Sequence, residues 1–306
     1  MPTATTTAIA TATSPQPPDA HARPAPFRLT PVTPNIGAEV TAIDLGGNLD
    51  GDTVASLRQA LVRHKVLVFR DQPITPEAHV ALARRFGELE VHPVFPHHPD
   101  HPELVLLGGT AASKASENIY HSDVSWRATP SMASLLRCVE CPPSGGDTIW
   151  VNMALAHENL PASLQERLAP LEAVHDLLPA FGSRLTPEQR AETRRAFPPV
   201  THPLVRTHPE SGERILYVNE AFTTHLANYA AAFEPRVGAD FKVAEMDLLA
   251  YLLRQATIPE YQMRVRWEPD TIVIWDNRST QHYAVQDYFP AVRRMMRATV
   301  VGDRPR

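Results

Sequence analysis

The 306-residue chain carries 29 Lys and Arg against 34 Asp and Glu, a net charge of −5 with no basic run, which argues against nucleic-acid binding and a polybasic membrane patch. No stretch approaches the roughly 18 consecutive apolar residues of a membrane span. The two cysteines, Cys138 and Cys141, form no disulfide framework, so the cytoplasm is the expected compartment.

In chain order, the opening "MPTATTTAIATATSPQPPDAHARPAP" has neither the basic n-region nor the apolar h-region of a secretory signal. Its Thr, Ala and Pro bias predicts a disordered tail over residues 1–26, leaving the fold to residues 27–306. "LDGDTVASLRQALVRH" places Val54, Leu57 and Leu61 at helical spacing, and the strand-like "KVLVFRDQ" follows it. "TPEAHVALARRFG" predicts a helix with Thr75 as N-cap, Pro76 at the first helical position and Gly87 past its end. Residues 91–118, rich in His, Pro and Ser, read as one long loop. Within it His97, His98 and His101 are expected to be solvated loop histidines rather than a metal patch.

Strands follow at "SMASLLRCVE" and "DTIWVNM", then a helical region over roughly residues 153–197 in which "LTPEQRAETRRAF" repeats the Thr-Pro start. "HPLVRTHP" and "RILYVNE" read as strands around a Glu-Ser-Gly turn, and "DFKVAEMDLLAYLLRQAT" as an amphipathic helix. "QMRVRWEPDTIVIWDN" reads as two strands with a turn at Pro269 and Asp270, and "RRMMRATVVG" closes the pattern. Many strands interrupted by a few helices suggest a mainly β fold, a sandwich or jelly roll with helical decoration. In C-x-x-C, a strand sends positions i and i+3 to opposite faces, so Cys138 and Cys141 are expected to be two structural thiols. Trp126, Trp150 and Trp275 are expected in the core beside the sheet.

Three places carry chemistry. In "IYHSDVSW", a strand would turn His121 and Asp123 to one face, so that an imidazole nitrogen and a carboxylate oxygen converge on a point that suits a metal. His282, one of 14 histidines, lies just beyond an apolar strand and supplies a third candidate ligand for a two-histidine, one-carboxylate iron site. Arg293 and Arg297 share a strand face while Arg294 points the other way, and two inward guanidinium groups call for anions beside the metal. Asp276 and Asn277 either orient the metal ligands or close a turn.

With H-x-D, "GGDTIW", "WDNRSTQHYA" and "RRMMRAT" in that order, the chain resembles the taurine dioxygenase family of iron(II)- and 2-oxoglutarate-dependent oxygenases. The similarity runs from about Phe27 to Pro305 and takes in "IGAEV", "VLVFRDQPIT", "RFGELEVHPVFPH", "HPLVRTHP" and "YVNEAFTT". The resemblance implies a double-stranded β-helix (cupin-like jelly roll) holding Fe(II) through His121, Asp123 and His282. It implies Thr148 and Arg293 on the distal carboxylate of 2-oxoglutarate, with O2 as the second co-substrate. Relatives that halogenate lack the carboxylate, so Asp123 favours hydroxylation.

The resemblance further implies Arg297 and His92 on a sulfonate and Phe181 and Phe222 along the alkyl part of a small anionic substrate. A family tyrosine that meets taurine's ammonium becomes Phe95, and a family asparagine falls at Glu117 or Asn118. A plain alkyl sulfonate is therefore expected to serve at least as well as taurine. Alternatives are an alkyl sulfate or aryloxyalkanoate substrate, or a cupin-like metal-binding protein without turnover. A homo-oligomer is expected.

Overall fold

The computed structural model describes residues 26–109, 118–232 and 240–306. The tail expected over residues 1–26 thus lies, but for Pro26, outside the described residues. The N-terminal half contains β1 (Arg28–Pro31), β2 (Ala38–Thr41), α1 (Gly51–His64), β3 (Val66–Phe69), α2 (Pro76–Arg84), β4 (Leu104–Leu107), β5 (Ser131–Glu140) and β6 (Thr148–Asn152). The middle adds α3 (Met153–Glu158), α4 (Ala162–Leu168), β7 (Glu172–His175), α5 (Leu178–Phe181), α6 (Pro187–Ala196), β8 (Val200–Pro203), β9 (Val205–Thr207), β10 (Arg214–Leu216) and β11 (Thr223–Leu226). Then come α7 (Tyr229–Ala232), α8 (Asp240–Arg254), β12 (Gln262–Val265), β13 (Ile272–Asp276), β14 (Thr280–Ala284) and β15 (Arg294–Val301).

A seven-stranded sheet in the order β1-β2-β3-β13-β5-β15-β4 is antiparallel except between β2 and β3. A three-stranded sheet, β12-β6-β14, faces it. Val66, Val68, Leu136, Val273, Trp275 and Met295 of the large sheet pack with Trp150, Met263 and Val265 of the small one. The alternate residues Leu67, Phe69, Leu135, Ile272 and Ile274 pack on the other face, against Leu57 and Leu61 of α1 and Val80 and Ala83 of α2. Burial on both faces is why "VLVF" and "IVIWD" read as unbroken apolar runs rather than alternating ones. Each such fully buried aliphatic side chain stabilises the fold by roughly 1.5–3 kcal/mol.

The helix signals act as the sequence predicts. Thr75 accepts from Ala78 N at the start of α2, with Pro76 in the first turn, and Asp50, a cap the sequence reading did not name, accepts from Thr53 N at the start of α1. Thr186 and Gln189 form a reciprocal capping box on α6.

Several expectations are overturned. The loop over 91–118 contains β4, an edge strand paired with β15, and the helical region over 153–197 contains β7, paired with β8 and β11. "HPLVRTHP" divides into β8 and β9, which belong to different sheets. The two strands of "QMRVRWEPDTIVIWDN" and the turn at Pro269 and Asp270 are present as expected, and the strands separate: β12 joins the small sheet and β13 the large one, with Asp270 at φ 60 in the connection.

"IYHSDVSW" is not a strand. His121 makes a single bridge with His282, and the chain then turns through Val124 at φ 54, with Arg127 N donating to Val124 O at 3.0 Å. Cys138 and Cys141 are in no disulfide, yet they pack into the same cluster instead of on opposite faces. Met295 pairs with Cys138 and Arg294 with Glu140, which leaves Val139 as a bulge that resets the alternation. Burial, with Cys141 beside it, pushes the Cys138 thiol up, as befits a structural cysteine.

Candidate active site

His121, Asp123 and His282 each offer one ligand atom, and these atoms lie within 4.8 Å of one another. Asp123 Oδ1 is 3.8 Å from His121 Nε2 and 3.9 Å from His282 Nε2. The two histidines reach this point through backbone pairing, each N–H donating to the other's carbonyl at 3.1 and 2.8 Å. His121 Nδ1 lies 2.8 Å from Ile119 O and donates to it, which orients the ring with Nε2 toward Asp123. The pairing of β14 with β6 sets His282 opposite Trp150, which stacks on it, while Trp275 packs 4.9 Å away. Burial, with His121 nearby, pushes His282 well below the usual imidazole value and keeps it neutral.

Asp123 is brought to the histidines by the turn after His121 and fixed by three groups. Ser134 Oγ donates to Oδ2 at 2.7 Å, Arg297 Nη1 to Oδ1 at 2.6 Å, and the backbone N–H to Asn277 Oδ1 at 3.2 Å. Burial alone would raise this carboxyl, but Arg297, with His282, His121 and Ser134, holds it below the usual carboxylate range. The anion that Arg297 meets inside the protein is therefore Asp123 itself. Two imidazoles and one carboxylate form a donor set suited to Fe(II), and the neighbouring Arg293 and Arg297 suit anions rather than a second cation.

A cavity of about 310 Å³ opens on the three residues. At one part of it Arg293 Nη2 donates to Thr148 Oγ1 at 3.3 Å, and Trp267 Nε1 donates to the same oxygen at 3.0 Å. Arg294, next in sequence, points outward to Glu140 at 2.7 Å, as the two-residue period predicts. Elsewhere the cavity is walled by Phe95, Phe181 and Phe222 and lined by His92, Asn118 and Arg297. His92 Nδ1 accepts from Val94 N at 3.2 Å, which assigns the ring proton to Nε2. Burial, then Arg297, pushes His92 down to about 3, making it a neutral hydrogen-bond donor. Asn118 is exposed at the rim, and Glu117 lies outside the described residues.

All the site residues expected from the sequence that are described thus line one cavity. His97, by contrast, bonds through Nε2 to His92 O at 2.7 Å and supports the loop, and no metal-type cluster forms at His97, His98 and His101 among the described residues.

Residues 28–299 match the family described as taurine catabolism dioxygenase TauD, TfdA family. The chain belongs to this family. It is 36% identical over 283 residues to an alpha-ketoglutarate-dependent sulfate ester dioxygenase of Pseudomonas putida, covering 90% of this chain and 89% of the relative. It is 33% identical to an alpha-ketoglutarate-dependent 2,4-dichlorophenoxyacetate dioxygenase of Cupriavidus pinatubonensis, covering 89% of this chain and 97% of the relative. Among solved structures, a taurine dioxygenase from Burkholderia xenovorans superposes with a TM-score of 0.75 at 38% identity, covering 91% of this chain and 90% of that one. The chain is an alpha-ketoglutarate (2-oxoglutarate)-dependent dioxygenase, and among the described residues no helix is long and apolar enough to cross a membrane.

Several residues of this dioxygenase site escape the sequence reading. Ser134, Trp267 and Ser125 reach it only through sheet pairing and loop packing. Ser125 receives Asn219 Nδ2 at 2.9 Å and lies 3.0 Å from His175 Nδ1, which ties the turn behind Asp123 to β7. Trp126 and Trp275, expected purely in the core, also line the cavity. Of the two open candidates, Asn277 faces the site: besides Asp123 N it holds Trp275 Nε1, Ser131 and Ser134. Asp276 instead pairs with Arg278 at 2.7 Å and His208 at 3.0 Å, away from it. "WDN" offered no way to tell the two apart.

Proposed function

We propose that the protein is an Fe(II)/2-oxoglutarate-dependent dioxygenase that hydroxylates a small alkyl sulfonate at the carbon bearing sulfur. The hydroxylated product loses sulfite to leave an aldehyde, and 2-oxoglutarate leaves as succinate and CO2. The observation that carries this reading is the convergence, in one phenylalanine-walled cavity, of the His121, Asp123 and His282 donor atoms with two arginines and a neutral histidine donor. The large and small sheets are read as the two layers of a double-stranded β-helix around this cavity.

His121, Asp123 and His282 would hold Fe(II), which with 2-oxoglutarate and O2 supplies the oxidative decarboxylation and C–H hydroxylation. Thr148 and Arg293 would hold the distal carboxylate of 2-oxoglutarate, Arg293 through charge-assisted hydrogen bonds. His92 and Arg297 would take the sulfonate, Arg297 shifting part of its hydrogen bonding from Asp123 to the incoming anion. Phe95, Phe181 and Phe222 orient the alkyl chain and exclude water. Apart from Asp123, no carboxylate lines the cavity among the described residues, so an ammonium such as taurine's has no anionic partner there.

A second reading, a sulfate ester substrate that loses sulfate, is favoured by the Pseudomonas putida relative. Release of succinate, sulfite and sulfate with butanesulfonate, taurine and butyl sulfate separates the readings. Sulfite with butanesulfonate at least as fast as with taurine is expected. A strong taurine preference would contradict the specificity, and faster sulfate release from butyl sulfate would establish the second reading.

A further inference from the structure

Thr148 is 2% exposed and lines the cavity. Its Oγ1 receives two N–H groups, one from Trp267 Nε1 at 3.0 Å and one from Arg293 Nη2 at 3.3 Å. A hydroxyl oxygen has two acceptor positions and one proton, whereas indole and guanidinium nitrogens only donate. Both acceptor positions of Thr148 are therefore filled, and what it has left to offer is its O–H. Among the described residues that O–H donates to no protein acceptor. Trp267 is itself held in the core, 3% exposed, packed 6.2 Å from Trp150, with the Arg293 guanidinium 5.7 Å over its ring. It touches both groups of the corner, Thr148 through its N–H and Arg293 through its ring.

We infer that Trp267 is a positioning residue that fixes the polarity of the Thr148 hydroxyl, so that the Thr148–Arg293 corner only donates hydrogen bonds and accepts a carboxylate while rejecting its uncharged amide. The inference rests on the reading that this corner holds the distal carboxylate of 2-oxoglutarate. A carboxylate presents acceptors on both oxygens. An amide presents one acceptor and one NH2, and that NH2 meets only donors here. Without the indole N–H the Thr148 hydroxyl can rotate and accept from the amide, so selectivity, and not only affinity, depends on Trp267.

The test is calorimetric binding of 2-oxoglutarate and of 2-oxoglutaramate, its C5 amide, to Fe(II)-loaded protein without O2. Wild type, Thr148→Val, Trp267→Phe, the double variant and Thr148→Ser are compared. Phenylalanine keeps an aromatic face beneath Arg293 and removes the N–H together with part of the ring volume, which the double variant controls for. Thr148→Val should raise the 2-oxoglutarate Kd about tenfold, and Trp267→Phe about fivefold, in line with the loss or loosening of one charge-assisted hydrogen bond. Trp267→Phe should also narrow the carboxylate-to-amide ratio. In the Thr148→Val background, adding Trp267→Phe should change Kd less than about twofold, because the two act through one hydroxyl. Thr148→Ser, which keeps the hydroxyl, should keep the wild-type ratio even if Trp267→Phe does not fold.

Equal effects of Trp267→Phe in both backgrounds, an unchanged ratio, or a lost preference in Thr148→Ser would overturn the inference while leaving the corner's assignment intact. Unaltered 2-oxoglutarate binding in Thr148→Val would overturn that assignment and the inference with it.

Discussion

Asp123 is the most constrained side chain of the site: it receives Ser134 and Arg297 while facing both histidines. A charge-assisted hydrogen bond contributes about 1.5–3 kcal/mol. Ser134→Ala should therefore weaken Fe(II) binding about tenfold, read as an equilibrium Kd, and leave the fold intact. Asp123→Ala should abolish substrate-coupled succinate release. Arg293→Ala should raise the 2-oxoglutarate KM by about two orders of magnitude, at about 1.4 kcal/mol per tenfold, whereas Arg294→Ala, directed at Glu140, should change it little. The reverse ranking in steady-state kinetics would mean that the register is misread. The division between Arg293 and Arg294 was legible in the sequence because strand alternation is local. Ser134 was not, because its approach to Asp123 depends on how β5 lies beside β13, which no spacing encodes.

At the scale of elements, the position of Arg293 depends on β4, the strand hidden in the irregular 91–118 text. Gly108, just past β4, has φ +124, and a Cβ there would lie 2.0 Å from the Arg293 carbonyl oxygen. Backbone cannot yield as a flexible side chain can, so Gly108→Ala should displace Arg293. We expect lower thermal stability together with a several-fold higher 2-oxoglutarate KM. An unchanged KM would show that the chain at Arg293 moves independently of β4. The helices that begin at Thr75 and Thr186 announced themselves because each cap satisfies an N–H group within its own first turn. β4 and β7, each four residues long, carry no such local mark and exist through their partners. The bulge at Val139 is likewise a property of two paired strands, which is why both cysteines turn inward.

In the whole molecule, the histidines that do not serve the metal site bear on stability. Burial leads in pushing His79 down to about 4, His175 to about 3 and His202 to about 4. Unfolded, each titrates near 6.5, so as pH falls from about 6.5 to 4 the unfolded chain takes up protons that the native one refuses. Stability fully present above this window is lost through it. Asp276, held below the usual carboxylate range, adds its own loss only below about pH 4. Urea midpoints should be level from pH 8 to 7 and fall steadily below about 6.5, and a flat profile to pH 4 would contradict the buried neutral assignment. The sheet-rich character was readable from the apolar runs, but the division of β12 and β13 between facing sheets was not, since the chain between them reads like a hairpin turn. The proposed function rests on the cavity that opens on His121, Asp123 and His282. Its most direct test is parallel measurement of succinate and sulfite from butanesulfonate with Fe(II), 2-oxoglutarate and O2, in wild type and His282→Ala. Wild type should release the two products in equimolar amounts and the variant neither. Succinate without sulfite from butanesulfonate, or wild-type turnover by His282→Ala, would contradict the proposed function.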